Sequence, residues 1–147
     1  MNLYIRGREE LRDLPELDLA ISINDPGDEV PEGLTDLAGD VLRLSFHDAE
    51  DDERGFVLAE GWHLAQVRRR LEARPPQTLL VQCTFGISRS PAMALYALGV
   101  LCPALSAHQL VKALLEVRPE AAPNGRLVRL AEADLRKQLR RALKHAR

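Results

Sequence analysis

A run of apolar residues past the middle of the chain, residues 91–101, restricts the possible folds most strongly. If this run is helical it has no polar face, and such a helix must be buried on every side. The apolar stretch continues to Leu105, but it is shorter than the ~20 residues that span a bilayer, and Pro103 interrupts it. We therefore interpret the run as a core helix that other parts of the chain cover in layers.

The rest of the sequence supplies strands and helices for these layers. Apolar and β-branched runs predict strands over residues 3–5, 17–23, 41–46 and 78–82. Helical spacing and capping residues predict helices over residues 8–14, 56–74, 91–101, 107–117 and 125–144, the last with Asn124 as its N-cap. Strands that alternate with helices predict one α/β domain over residues 1–147, with a central, mostly parallel sheet of four or five strands and helices on both faces.

Composition excludes several classes of protein. The 147 residues are 46% apolar with a net charge of −2, which argues against a disordered chain and against a basic nucleic-acid binder. The first residues lack the apolar core of a signal peptide, and two cysteines without zinc-type spacing suit a reduced compartment. We therefore expect a cytoplasmic protein with no metal, no cofactor, and neither nucleic acid nor a membrane as partner.

The segment 79–92 carries the chemistry. A buried strand ends at Cys83, a loop of five residues follows, and a helix is predicted to open at Pro91 with Ser90 as its cap. A loop that curls into a helix N-terminus directs its backbone N–H groups into one concavity, which binds a dianion such as phosphate or sulfate. The candidate phosphate-binding residues are Thr84, Phe85, Gly86, Ile87, Ser88 and Arg89.

Four residue types in this segment fit nucleophilic attack on that phosphate. Gly86 lets the loop curl without a Cβ clash, and Arg89 can fork onto two phosphate oxygens. Cys83 lies in the positive field of the loop, which favours a thiolate nucleophile. Ser90 can donate a hydrogen bond to the sulfur and help it to leave in a second step.

The pattern Cys83-x5-Arg89-Ser90, with Gly86 three residues after the cysteine, resembles the signature loop of cysteine-dependent protein tyrosine phosphatases. Among these phosphatases, the length of the chain is most similar to that of the compact, dual-specificity-like branch. The segment 117–124 is similar to the same branch, especially to its small bacterial members, and the resemblance runs from Asp18 to the C-terminus. It implies hydrolysis of phosphomonoesters without a metal, through a cysteinyl-phosphate intermediate. The implied substrates are a phosphorylated protein, above all phosphotyrosine, or a small aryl phosphate.

The family also has a general acid on a separate loop, some thirty residues before the cysteine. A predicted strand runs into an acidic stretch, residues 47–53, at the right place. Asp48 directly follows the strand, and on that ground we take it as the candidate acid, although the spacing to Cys83 favours Asp51 or Asp52. The implied role is to protonate the leaving oxygen and then to accept a proton from the attacking water.

One residue departs from the family, which usually has histidine immediately before the cysteine where this chain has Gln82. An amide can donate and accept hydrogen bonds but carries no charge. Gln82 therefore supports an alternative, a phosphoprotein-binding module with weak or no turnover. A third hypothesis, a sulfur-transfer or redox enzyme that uses Cys83, is weaker because no second cysteine is well placed to resolve it.

Overall fold

The computed structural model describes residues 1–52 and 55–146, and its centre is a four-stranded parallel sheet. The strands are β1 (Asn2–Gly7), β2 (Leu19–Asn24), β3 (Val41–Ser45) and β4 (Thr78–Cys83), in the order β1-β4-β2-β3. Both neighbours of β4 run parallel to it, and so do β2 and β3 to each other. The predicted α/β class and the predicted number and direction of the strands are confirmed.

The register brings all four carboxyl ends of the strands to one edge of the sheet. Gly7 lies opposite Cys83, and Asn24 lies opposite Ser45. The segments that leave these strands therefore meet at this edge, which is where open α/β sheets place their ligands. Because β4 lies between β1 and β2, the loop after Cys83 is in the middle of that edge.

Six helices complete the described chain: α1 (Leu34–Leu37), α2 (Gly61–Ala73), α3 (Arg89–Leu101), α4 (Ala107–Val117), α5 (Gly125–Leu135) and α6 (Leu139–His145). Helix α3 is buried from Arg89 to Gly99, as its lack of a polar face predicts. It packs on β1 and β4 on one side and on α2, α4 and α5 on the others. Across the described residues, no helix combines the length and apolar composition that crossing a membrane requires.

Helices lie on both faces of the sheet, but unequally. Alternate strand residues such as Leu79 and Val81 face the large core under α3, while Leu80 faces a smaller cluster on the other side. The single-turn helix α1 covers that second face through Leu34, together with the segments around it. Both faces of β2 are covered, which explains why all six of its residues are buried.

Of the predicted helices, the one over residues 8–14 does not form, and the one over residues 56–74 begins later than predicted. Residues 8 and 9 form a turn and the rest of 8–14 has no regular structure: the Glu10 side chain folds back and accepts a hydrogen bond from the Gly7 N–H at 2.8 Å, and Asp13 has a left-handed φ of 56°. Helix α2 begins at Gly61 instead of at residue 56. The Nδ1 atom of His63 accepts a hydrogen bond from the Glu60 N–H at 2.9 Å and so caps the helix there.

The predicted last helix, residues 125–144, is two helices. Arg136 adopts a left-handed conformation, with φ of 57°, and ends α5. The ammonium group of Lys137 then donates hydrogen bonds to the carbonyls of Pro103 and Leu105. The break allows α6 to turn and pack on α4, with Leu139 buried. Hydrophobic periodicity alone does not predict this break, because the apolar pattern continues through both helices.

Candidate active site

The loop between β4 and α3, residues 84–88, turns all five of its peptide carbonyls away from its centre. The donors are the backbone N–H groups of Arg8 to Thr84 (3.0 Å), Ala122 to Ile87 (2.8 Å) and Asn124 to Ser88 (3.0 Å), and the guanidinium of Arg118 to Phe85 and Gly86 (3.1 Å each). In a trans peptide the carbonyl and the next amide point in opposite directions. The N–H groups of residues 85–89 therefore point inwards and form the predicted concavity.

Arg118 supports two of these peptide units and is itself held by Glu10. Its side chain is 11% exposed, and Nη2 donates to a Glu10 carboxylate oxygen at 2.7 Å. The same oxygen accepts the N–H of Gly7. The hydrogen bond from Arg118 holds the pKa of the Glu10 carboxyl below its usual value. The outer wall of the loop is thus tied to the end of α4 and to the turn after β1.

Gly86 has the positive φ, 74°, that the curl of the loop requires. A Cβ atom at this position would lie 2.7 Å from the backbone of Arg6 and Gly7. A Cβ on Gly7 would in turn lie 2.8 Å from the backbone of Phe85. The loop and the end of β1 therefore approach so closely that neither position accommodates a side chain.

The Cys83 thiol lies at the bottom of this concavity and is only 2% exposed. Its Sγ accepts hydrogen bonds from the N–H of Gly86 at 3.3 Å and of Ser90 at 3.4 Å. The hydroxyl of Ser90 is 3.1 Å from the same sulfur. Two backbone N–H donors and one hydroxyl therefore converge on this sulfur.

Helix α3 begins two residues earlier than predicted. Its N-cap is Ser88 rather than Ser90, and Pro91 occupies the third helical position, where the lost N–H has no intrahelical partner. Ser90 therefore lies inside the first turn. This position explains how both its backbone N–H and its hydroxyl reach the Cys83 sulfur.

The Arg89 side chain is 5% exposed, and its guanidinium is held by three hydrogen bonds. Its Nη1 donates to the Asp25 carboxylate at 2.7 Å and to the Phe46 carbonyl at 2.8 Å, and its Nη2 donates to the Thr84 hydroxyl at 2.8 Å. Within the described part of the chain these are its side-chain hydrogen bonds. The Nε–H and the second Nη2–H, which share one edge of the guanidinium, remain for two oxygens of a ligand.

Asp48 follows β3 and reaches the loop. Its Oδ1 accepts hydrogen bonds from the Ser88 hydroxyl at 2.7 Å and from the Asn124 side-chain amide at 2.8 Å. Asp51 and Asp52 are exposed further along the same segment, and residue 53 lies outside the described residues. The structure thus brings Asp48 next to the loop with Cys83 and Arg89.

Sequence reasoning missed several residues that shape this site. Asn124 was predicted only as a helix cap, which it is, yet it also contacts Asp48 and the Ser88 carbonyl. The charged residues Glu10 and Asp25 have no signal of their own, and Arg118 is indicated only as part of the segment 117–124 that resembles the family, without a role. The ion pairs join residues 64 positions apart (Asp25 and Arg89) and 108 positions apart (Glu10 and Arg118), so no local pattern indicates them.

Gln82 is completely buried, and its side chain leaves β4 on the face opposite Cys83. Its Nε2 donates a hydrogen bond to the Cys83 carbonyl at 2.9 Å. The residue that departs from the family pattern therefore contacts the backbone of the candidate nucleophile directly.

Comparisons with known proteins agree with this architecture. No protein-family model matches the sequence, and no curated protein matches it significantly. Solved structures do match. Human DUSP28 has a TM-score of 0.64 at 21% identity, over 89% of this chain and 86% of its own. The Cydia pomonella PTP-2 phosphatase has a TM-score of 0.62 at 18% identity, over 90% of this chain and 85% of its own.

A third match is human tyrosine phosphatase-like serine/threonine/tyrosine-interacting protein, with a TM-score of 0.61 at 16% identity, over 81% of this chain and 76% of its own. The identities are low, whereas the matched lengths cover most of each chain. The likeness therefore concerns the fold, and it agrees with the fold that the signature loop implies. This chain therefore has the protein tyrosine phosphatase fold that these solved structures share.

Proposed function

We propose that this protein hydrolyses phosphomonoesters, protein phosphotyrosine above all, through a phosphate ester of Cys83. One observation carries the proposal: the loop 84–88 turns every carbonyl outwards around a buried thiol, so that its amides face the space above the sulfur. A phosphate in that space would meet backbone donors and the Arg89 fork, with the sulfur behind its phosphorus. The backbone N–H groups of the loop and the Arg89 guanidinium would thus neutralise the charge of the phosphate.

In the first step the Cys83 thiolate attacks phosphorus, and the S–P bond forms as the P–O bond to the leaving group breaks. Asp48 donates its proton to the leaving oxygen. Both hydrogen bonds to this carboxyl group use Oδ1, so Oδ2 is the oxygen available to carry that proton. The products are the free alcohol or phenol and cysteinyl-phosphate.

In the second step water attacks the phosphorus, and Asp48, now ionised, accepts the proton from that water. The S–P bond breaks and inorganic phosphate forms. The departing thiolate is stabilised by the Ser90 hydroxyl and by the N–H groups of Gly86 and Ser90. The enzyme returns to its starting state with one water consumed.

The surroundings of the loop favour an aryl phosphate over a polyanion. Phe85 is 77% exposed on the loop and offers an apolar surface beside the phosphate. The loop itself contains no lysine or arginine between Cys83 and Arg89. Asp51 and Asp52, exposed on the segment after β3, would repel further phosphate groups on a substrate.

The decisive experiment measures phenol release from an aryl phosphate in the presence of a chelator. The wild type should turn over, and Cys83→Ser should lose essentially all activity while it still binds vanadate, because the amides and Arg89 remain. Arg89→Lys should lose both, since an ammonium group cannot make the two-pronged contact. Activity of Cys83→Ser comparable to the wild type would contradict the mechanism. A wild type that binds vanadate but never turns over would favour the binding module instead.

A further inference from the structure

Gln82 belongs to a closed ring of hydrogen bonds with Ser22 and Asn24, on the face of the sheet opposite the Cys83 side chain. Ser22 lies opposite Gln82 in the parallel register of β2 and β4. The Ser22 hydroxyl donates to Gln82 Oε1 at 2.5 Å, Gln82 Nε2 donates to Asn24 Oδ1 at 3.1 Å, and Asn24 Nδ2 donates to Ser22 Oγ at 2.9 Å. All three side chains are less than 5% exposed.

The ring ends on the candidate nucleophile. The second hydrogen of the Gln82 amide is donated to the Cys83 carbonyl. Position 82 therefore supplies two donors, to Cys83 and to Asn24, and one acceptor for Ser22. Within the described residues no buried side-chain nitrogen or oxygen lacks a partner, so the ring is fully satisfied.

Histidine cannot make this set of contacts. A neutral imidazole has one donor and one acceptor, and a charged imidazole has two donors and no acceptor. In either form one of the three contacts that Gln82 makes, to the Cys83 carbonyl, to Asn24 or to Ser22, would be lost in a buried site, which is unfavourable. The glutamine thus matches the polar residues of β2 in this chain.

Arg8 joins the ring to the loop. Its Nη1 donates to Asn24 Oδ1 at 2.5 Å, and its backbone N–H donates to the Thr84 carbonyl at 3.0 Å. The ring therefore holds the carbonyl of Cys83 through Gln82, and Arg8 holds the carbonyl of Thr84. Movement in the ring would displace the sulfur relative to the donors of Gly86 and Ser90.

We propose that Gln82, Ser22 and Asn24 act together to position the Cys83 nucleophile. In this chain they replace the histidine that the phosphatase family usually has immediately before its cysteine. The effect of these residues on catalysis rests on the proposed function, whereas their effect on the position of the Cys83 sulfur does not. It implies that Gln82→His impairs this protein, although it restores the family pattern. The ring acts through the backbone of Cys83, so its residues position the nucleophile and do not touch substrate.

The test follows alkylation of Cys83 by iodoacetamide as a function of pH, in a Cys102→Ser background so that one thiol reacts. We expect Gln82→His and Ser22→Ala each to move the midpoint of the profile to higher pH, because a displaced sulfur loses hydrogen bonds to its thiolate. Thr78→Val is the matched control: it removes a side-chain hydrogen bond, to the Asp18 N–H, at the other end of the same strand. It should leave the midpoint unchanged.

Hydrolysis of an aryl phosphate by the same variants supplies the second measurement. We expect kcat to fall about tenfold in Gln82→His and in Ser22→Ala, with KM nearly unchanged. The double variant should lose little more than either single one, because residues that act as a unit are not additive. None of these substitutions removes a charged group around the loop, so the comparison between variants reports on the ring. The charged groups that all variants keep are Arg8, Glu10, Asp25, Asp48, Arg89 and Arg118.

The outcomes separate this proposal from the proposed function. If the wild type cleaves no aryl phosphate, the proposed function fails, while the alkylation profiles still decide the role of the ring. A folded Gln82→His protein whose midpoint is unchanged or lower would overturn the ring proposal, and so would additive effects in the double variant. If Gln82→His does not fold, Ser22→Ala, which removes only one hydroxyl, carries the same test.

Discussion

At the scale of single residues, Asp48 is distinguished from its acidic neighbours by its contacts. The Ser88 hydroxyl and the Asn124 amide hold its Oδ1 next to the loop, while Asp51 and Asp52 are exposed. The position directly after a strand indicated Asp48 from the sequence, whereas the spacing to Cys83 favoured the other two. The role of Asp48 as the general acid is part of the proposed mechanism.

Asp48→Asn should lower kcat by about 10²–10⁴, the range for loss of a positioned proton donor. The asparagine side-chain oxygen can still accept from Ser88 and Asn124, so the loop should keep its shape. The loss should be smaller for aryl phosphates with a very good leaving group, which needs little protonation. Asp51→Asn and Asp52→Asn are the matched controls. A large loss in either control, with Asp48→Asn active, would reassign the acid.

At the scale of elements, the start of α2 depends on a buried histidine. His63 is 2% exposed, stacks on Trp62 with 3.7 Å between ring centroids, and accepts the Glu60 N–H at Nδ1. Burial lowers the pKa of His63 below its usual value of 6.5. The folded protein therefore holds this ring neutral, and protonation would remove the acceptor that caps the helix.

Folding stability should accordingly decrease as the pH falls below about 6.5, because the unfolded chain then binds a proton at His63 that the folded chain does not. His63→Gln should reduce this dependence, since a glutamine oxygen can accept the same N–H without titrating. Urea unfolding at about pH 7.5 and about pH 5.5 measures the difference. His145→Gln, at an exposed histidine, is the control. An identical pH dependence in His63→Gln and the wild type would contradict the assignment.

At the scale of the whole molecule, the site is assembled at the carboxyl edge of the sheet from segments far apart in the chain. The ion pair between Glu10 and Arg118 joins residues 108 positions apart and fixes the outer wall of the loop through the carbonyls of Phe85 and Gly86. This contact links the turn after β1, the loop and the end of α4. The ability of the loop to bind phosphate should therefore depend on a residue outside it.

Arg118→Met should weaken inhibition by phosphate about tenfold, the effect of losing hydrogen bonds that order two peptide units. The matched control is Arg70→Met, which removes another largely buried arginine, paired with Asp40 at 2.7 Å away from the loop. Both variants should be less stable, but only Arg118→Met should bind phosphate more weakly. Equal phosphate inhibition in the two variants would show that Arg118 stabilises the fold without ordering the loop.

The features that depend on near neighbours in the chain follow from the amino-acid sequence. The apolar run of α3 required burial, and the strand, the five-residue loop and the helix start placed Cys83 and Arg89 around a candidate anion site, because capping and turn chemistry act within a few residues. The parallel sheet followed from the alternation of strands and helices. The prediction of a single domain remains a prediction.

The contacts between distant side chains, by contrast, depend on how the elements pack together. The order β1-β4-β2-β3 sets Ser22 beside Gln82, and the Asp25 and Arg118 contacts to the loop likewise join separate elements. The break of the last helix at Arg136 also depends on packing against α4. Hydrophobic periodicity is a local signal, whereas hydrogen bonds between elements depend on strand order and register, which a single sequence does not specify. The consequence is clearest at Gln82, which the sequence marks as a departure from the family and the structure shows to be a fully hydrogen-bonded member of its sheet.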